Sequence, residues 1–165
     1  MLIHVILTGG TIDSYYDGSK DTAIPQEHSV IPRFVKGLNL PHKFKFTEVC
    51  MKDSRAMNQT DLKNVLNTIK RSTAQKIIVT HGTYTMADTA RFIAHHLPSS
   101  KKTIILTGSM IPLDGFNFSD AGFNLGFALA EVLHQSAGVY VAMNGQLISS
   151  ERATKIISEG RFTTL

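Results

Sequence analysis

Short β-branched runs along the chain alternate with stretches whose apolar positions recur every three or four residues. The runs at 2–7, 45–51, 76–80, 103–106 and 138–143 are rich in Val, Ile, Phe or Thr and bounded by polar or glycine-rich residues, which predicts five strands. Ile77-Ile78-Val79 and Ile104-Ile105-Leu106 are continuously apolar, the pattern of strands covered on both faces of a parallel sheet. Val30, Ile31, Phe34, Val35 and Leu38 fall at helical spacing within 28–38; Leu62, Val65, Leu66 and Ile69 do so within 59–71. Further helices are predicted over 85–97 and 119–134, with Asn58 or Thr60 capping the second helix and Ser119 the fourth. Strands alternating with helices predict an α/β fold: a doubly wound, mostly parallel sheet of about five strands in a three-layer, flavodoxin- or Rossmann-like sandwich. No repeat or linker interrupts the pattern, so 1–165 reads as one domain. The tail at 146–165 is polar and carries no assigned element.

Composition narrows the class. The chain is 42% hydrophobic and 18% charged, enough apolar material for a core and too little charge for disorder. No apolar run approaches the length of a membrane span, and the first residues read as a buried strand rather than a signal peptide. The one cysteine, Cys50, allows no internal disulfide; it reads as a buried structural thiol in a reducing, cytoplasmic setting. A net charge of +4, scattered and without a recognition motif, argues against a nucleic-acid partner.

In open α/β sheets ligands bind beyond the carboxyl ends of the strands. Those positions carry Thr8-Gly9-Gly10-Thr11, Lys52-Asp53-Ser54-Arg55, Thr80-His81-Gly82-Thr83-Tyr84-Thr85, Thr107-Gly108-Ser109-Met110 and Asn144. Each segment alone is an ordinary turn or cap. Four of them on one rim point to a pocket for a small polar or anionic molecule. No Lys-Ser/Thr follows the first glycines, so this is no P-loop, and Gly9-Gly10 lacks the third glycine of a dinucleotide fingerprint. A flavodoxin-like cofactor site is an alternative that no residue supports. His81, after a buried strand, reads as a hydrogen-bonded structural residue. His95 and His96 are adjacent on a helix, which puts their rings on different faces, so no metal site is predicted.

These segments, in this order, resemble the L-asparaginase/glutaminase family with a threonine nucleophile. Thr8-Gly9-Gly10-Thr11-Ile12 is similar to its first signature, and His81-Gly82-Thr83-Tyr84-Thr85-Met86 to its second, which normally reads His-Gly-Thr-Asp-Thr-Met. Asp53-Ser54 falls where the family has its substrate-binding serine. Thr107-Gly108-Ser109-Met110-Ile111-Pro112 resembles the Gly-Ala-Met-Arg-Pro region, and Ser119-Asp120-Ala121-Gly122-Phe123-Asn124-Leu125 the Ser-Asp-Gly-x-x-Asn-Leu helix. Ala153-Thr154-Lys155 falls where the catalytic lysine lies. The resemblance runs from about residue 2 to about residue 157 and corresponds to the family's N-terminal domain, without the C-terminal domain its asparaginases normally carry. A second copy would then have to help close the rim, so a homo-oligomer, dimer or tetramer, is expected.

The resemblance implies roles. Thr11 attacks the side-chain amide of asparagine, glutamine or a related amino-acid amide, and water cleaves the acyl-enzyme. A tyrosine on the loop after the nucleophile accepts the hydroxyl proton; of Tyr15 and Tyr16, Tyr16 lies further into a polar loop that reads as a closing lid. Thr83 and Lys155 form a second hydroxyl–amine pair. Backbone N–H groups at Thr11 and Thr83 bind the oxyanion, Ser54 holds the α-carboxylate, and Gly10, Asp53, Gly82, Tyr84 and Ser109 complete the substrate-binding set. Neither cofactor nor metal is implied. Tyr84 stands where the family has an aspartate, and a phenol does not supply that charge near pH 7; Asp88 or Asp53 is the expected substitute.

Overall fold

The computed structural model describes residues 1–165. Its centre is a six-stranded sheet in the order β4-β1-β5-β6-β7-β8. Strands β1 (Leu2–Gly9), β4 (Lys43–Lys52), β5 (Lys76–Thr80), β6 (Thr103–Thr107) and β7 (Gly138–Met143) are parallel, and β8 (Gln146–Ser149) adds an antiparallel edge. The five predicted strands are these five, within two residues at each end.

Period-two alternation sorts the core into two layers. Ile3, Val5 and Leu7 of β1, with Ile78, Ile105 and Ala142, pack under α1 (Ile31–Gly37) and α4 (Ala121–His134). Ile6, with Ile77, Val79, Ile104, Leu106, Val141 and Met143, packs under α2 (Gln59–Arg71) and α3 (Met86–His96). This placement fixes the relative hand of the crossovers. The chain runs from β1 to β4 through α1 in one direction, then crosses back to β5, β6 and β7 through α2, α3 and α4. Because α4 lies on the face opposite α2 and α3, the β6–α4–β7 connection has the opposite hand to the other three, an uncommon arrangement. A long connection, 108–120, gives the chain room to reach the other face.

Helix ends differ from expectation where side chains compete for backbone groups. The first helix starts at Ile31 rather than near His28, because Asp13 accepts from the Val30 amide at 2.9 Å and Glu48 from the Ser29 amide at 2.8 Å. In α2, Asn58 is the cap: its side chain accepts from Thr60 and Asp61, and Asp61 accepts in return from the Asn58 amide, a complete capping box. The Ser119 hydroxyl accepts from the Ala121 amide at the start of α4, while the carboxylate of Asp120 turns back to the Met110 and Ile111 amides.

Two segments hold structure that periodicity did not reveal. The segment after Thr11 is a hairpin, β2 (Ser14–Asp17) against β3 (Thr22–Pro25). The polar tail forms β8 and a second hairpin, β9 (Ala153–Ile156) against β10 (Arg161–Thr164). Asn144 and Gly145, at φ 55° and 70°, make the two-residue turn into β8, with Met143 paired to Gln146. Asn-Gly between strands is a strong hairpin signal that was legible in the sequence. Ala153 and Phe162 are fully buried against the α2/α3 layer, so the tail is part of the core. No helix is long and apolar enough to cross a membrane.

Replacing Phe162 with alanine should therefore cost about 3–5 kcal/mol, as for a core aromatic. Urea unfolding of Phe162→Ala checks this; a loss under about 1 kcal/mol would mean that the tail is not integral to the core.

Candidate active site

Helices α1 and α3, which follow β1 and β5, lie on opposite faces of the sheet, so a crevice opens between the carboxyl ends of these neighbouring strands. Its walls are loops in near-contact. Gly10 sits at φ 78°, and a Cβ there would strike the backbone of Gly82. A Cβ on Gly82 would lie 2.7 Å from the side chain of Ser54. The Gly10 amide donates to Lys52 O at 2.8 Å, tying the first loop to the end of β4. His81 is wholly buried. Its Nδ1 donates to Gly82 O at 2.8 Å, which leaves Nε2 to accept from Thr89 Oγ1 at 3.0 Å. Burial holds its pKa below the usual histidine range, so the ring is a neutral brace for the loop, as expected from the sequence.

The cleft that results has a volume of about 210 Å³. Thr11, Thr83 and Lys155 line it together with Gly10, Asp53, Ser54, Gly82 and Tyr84; Arg55 and Met110 complete the wall. Thr11 opens a short 3-10 turn directly after β1, and Ser54 opens another after β4. Lys155 reaches in from β9, and its Nζ donates to Thr83 Oγ1 at 2.7 Å. Thr83 Oγ1 lies 3.6 Å from Met110 Sδ. Burial, and after it the field of Arg55, hold the Lys155 ammonium below its ordinary pKa. The half-exposed Tyr84 ring faces two cations, with Arg55 Cζ 5.1 Å and Lys155 Nζ 5.4 Å from its centroid.

Two predicted residues lie off the cleft wall. Ser109 is buried, and its hydroxyl donates to Ile111 O at 2.5 Å; Met110 occupies the wall instead, held by hydrogen bonds from its amide to Asp120. Tyr16 is half exposed on β2, beside Tyr15 and Phe116, and its hydroxyl donates to Asp21. That hydrogen bond pushes the phenol above its ordinary pKa. Neither expected substitute for the family's aspartate is free. Asp88 pairs with Arg91 at 2.7 Å, and Asp53 forms two side-chain hydrogen bonds with Arg55. Arg55 was missed although it directly follows Ser54 in a rim segment; the charge of the cleft shows only once Asp53, Tyr84 and Lys155 are seen around it. Cys50 is part-buried, and burial pushes its thiol up to about 11, in keeping with a structural role. The adjacent rings of His95 and His96, expected on separate faces, meet edge to face at 5.3 Å. A larger hollow of about 860 Å³ lies at the amino ends of β6 and β7, lined in part by Arg91 and His95 and sharing no residue with the cleft.

Asp13, two residues beyond Thr11, is also fully buried. It accepts from the Ser29 hydroxyl at 2.8 Å and the Val30 amide at 2.9 Å, which joins the base of the β2–β3 hairpin to α1. Burial raises its pKa from 3.8 to about 6, more than these hydrogen bonds lower it, and the nearby Glu48 adds to the rise. The folded chain thus binds this proton more tightly than the unfolded chain. The stabilisation is complete below pH 3.8 and is lost as pH climbs through 6, to a total of about 3 kcal/mol. Asp13→Asn should accordingly gain stability on the wild type, by up to about 3 kcal/mol, between pH 4 and pH 7. Parallel urea titrations of both proteins at the two pH values measure it, and a constant difference would refute the assignment. Gly10→Ala should lose at least about 2 kcal/mol by the same assay, from positive φ and the clash with Gly82.

Residues 2–163 match the family model described as "Asparaginase, N-terminal". The chain is 36% identical over 84 residues to an L-asparaginase of Thermococcus kodakarensis, covering 51% of this chain and 25% of that protein. It is 29% identical over 167 residues to L-asparaginase 1 of Escherichia coli K12, covering 96% of this chain and 48% of that one. The solved thermostable L-asparaginase from Thermococcus kodakarensis superimposes with a TM-score of 0.83 at 25% identity, over 100% of this chain and 51% of that one. The chain thus spans about half the length of the relatives it matches end to end. With the fold, the order of the rim segments and the family model in agreement, the chain belongs to the asparaginase N-terminal family.

Proposed function

We propose that the protein is an asparaginase-type amidohydrolase that releases ammonia from the terminal carboxamide of asparagine, glutamine or a related small amide. The observation that carries this reading is the 2.7 Å contact between Lys155 Nζ and Thr83 Oγ1 in the same small cleft as Thr11 and Ser54. Bringing a lysine from the tail onto a threonine after β5, beside a second threonine after β1, is a costly arrangement for a merely structural cluster. It partly buries an ammonium that has no anionic partner and feels the field of a second cation, Arg55.

In this reading Thr11 Oγ attacks the amide carbon, and backbone N–H groups at Thr11 and Thr83 meet the developing oxyanion. The C–N bond breaks, and ammonia leaves with the proton taken from the Thr11 hydroxyl. Water then adds to the Thr11 ester, giving the free acid and regenerating the hydroxyl. Lys155, its ammonium destabilised by burial and by Arg55, gives a proton through Thr83 to the leaving nitrogen and recovers one from the attacking water as the carboxylate forms. Ser54 holds the substrate carboxylate. Tyr16 serves as proton acceptor for Thr11 only after its hydrogen bond to Asp21 opens, so the β2–β3 hairpin acts as the lid.

An ammonia-release assay over asparagine, glutamine and succinamate tests the reading. Thr11→Ala should lower turnover of the preferred amide by about a thousandfold or more, and Lys155→Met by about 10²–10⁴-fold, with both variants folded by circular dichroism. Wild-type release no greater than that of Thr11→Ala on every amide would sink the enzyme reading. An amide that raised the melting temperature without turnover would then indicate a binding module.

A further inference from the structure

Three side chains set the charge of the cleft. Arg55 and Lys155 are cations, and Asp53 is the one carboxylate on the wall. Asp53 is already engaged: Oδ1 accepts from Arg55 Nε at 3.0 Å and from the Arg55 amide at 2.8 Å, and Oδ2 accepts from Arg55 Nη2 at 2.8 Å. That pairing neutralises one positive charge and leaves the ammonium of Lys155 without an anionic partner. Both cations lie over the Tyr84 ring, so its negative π-surface is already in use. Asp88, four residues further along the chain, is largely exposed and tied to Arg91. A second ammonium entering this cleft would meet like charge with no free carboxylate to receive it. A carboxylate would meet the unpaired ammonium of Lys155 and would offset its burial.

We infer that the cleft selects an amide carrying a carboxylate but no α-ammonium, the monoamide of a simple dicarboxylic acid, over the zwitterionic amide of an α-amino acid. This rests on the amidohydrolase reading above and specifies its substrate class. Succinamate and L-asparagine differ in this one group, so they isolate it, as do the products succinate and L-aspartate. The selection comes from charge, so an aspartate placed at position 84 supplies the free anion that the cleft lacks and should favour the amino acid.

The test compares kcat/KM for succinamate and L-asparagine, and calorimetric affinities for succinate and L-aspartate, in wild type, Thr11→Ala and Tyr84→Asp. The inference expects at least a tenfold preference for succinamate and for succinate in wild type, and a fall of at least tenfold in both ratios in Tyr84→Asp. Should Tyr84→Asp fail to fold, Arg55→Gln releases the Asp53 carboxylate from its pairing and should lower the succinate preference in the same sense. Thr11-dependent release that is equal or faster with asparagine overturns the substrate class and leaves the amidohydrolase reading standing. Release from neither of these amides nor from glutamine overturns the amidohydrolase reading, and the succinate-to-aspartate affinity ratio then decides the selectivity alone. Equal affinity for the two diacids, or binding of neither, overturns the inference.

Discussion

Gly10 lies against the backbone of Gly82, and Gly82 lies against Ser54. This contact between three loops, far apart in sequence, lets Thr11, Ser54 and Thr83 face one small cleft instead of three separate turns. Side chains at either glycine would force the loops apart by roughly the width of a methyl group, and placement errors near an ångström are enough to damage a catalytic site. The sheet sets the contact up. Parallel β4, β1 and β5 end together, and the helices after β1 and β5, on opposite faces of the sheet, open the crevice between them.

The polar framework around the loops is mostly neutral or paired. His81 is held uncharged by burial and braces Gly82 from behind. Asp120 gathers the Met110 and Ile111 amides and the side chain of Asn124, which also accepts from the Asn144 amide. One helix of uncommon crossover hand thereby supports the loops after both β6 and β7. Such buried polar groups cost stability unless satisfied, and here nearly all are; Thr80 Oγ1 is the exception. The ammonium of Lys155 stands out against that background, since its close contacts are a hydroxyl, a tyrosine ring and the field of a second cation.

Lys155 also ties the cleft to the tail. Across the β9–β10 hairpin it pairs with Phe162, which is fully buried in the α2/α3 core. The hairpin is anchored further by the Phe162 amide donating to Asn144 Oδ1 at 2.9 Å. Core packing at the tail and the position of the amine are therefore one structural feature, and loosening the first displaces the second.

The sequence by itself determined the α/β class, the five parallel strands and the rim segments after them. These follow from local signals: apolar runs of strand length, helical periodicity, and glycine and hydroxyl residues placed just past strand ends. It also carried the resemblance that singled out Thr11, Ser54, Thr83 and Lys155. Only the tertiary structure decided which of these residues share a cleft, that Ser109 turns away while Met110 faces in, and that Tyr16 is held by Asp21 outside it. The ends of α1, the tail hairpin and the charge of the cleft were settled by Asp13 and Glu48 reaching Ser29 and Val30, by Phe162 entering a distant core, and by Arg55 and Lys155 meeting over Tyr84. Each is a contact between residues remote in sequence, and its energy depends on burial and distance, quantities that local pattern does not contain.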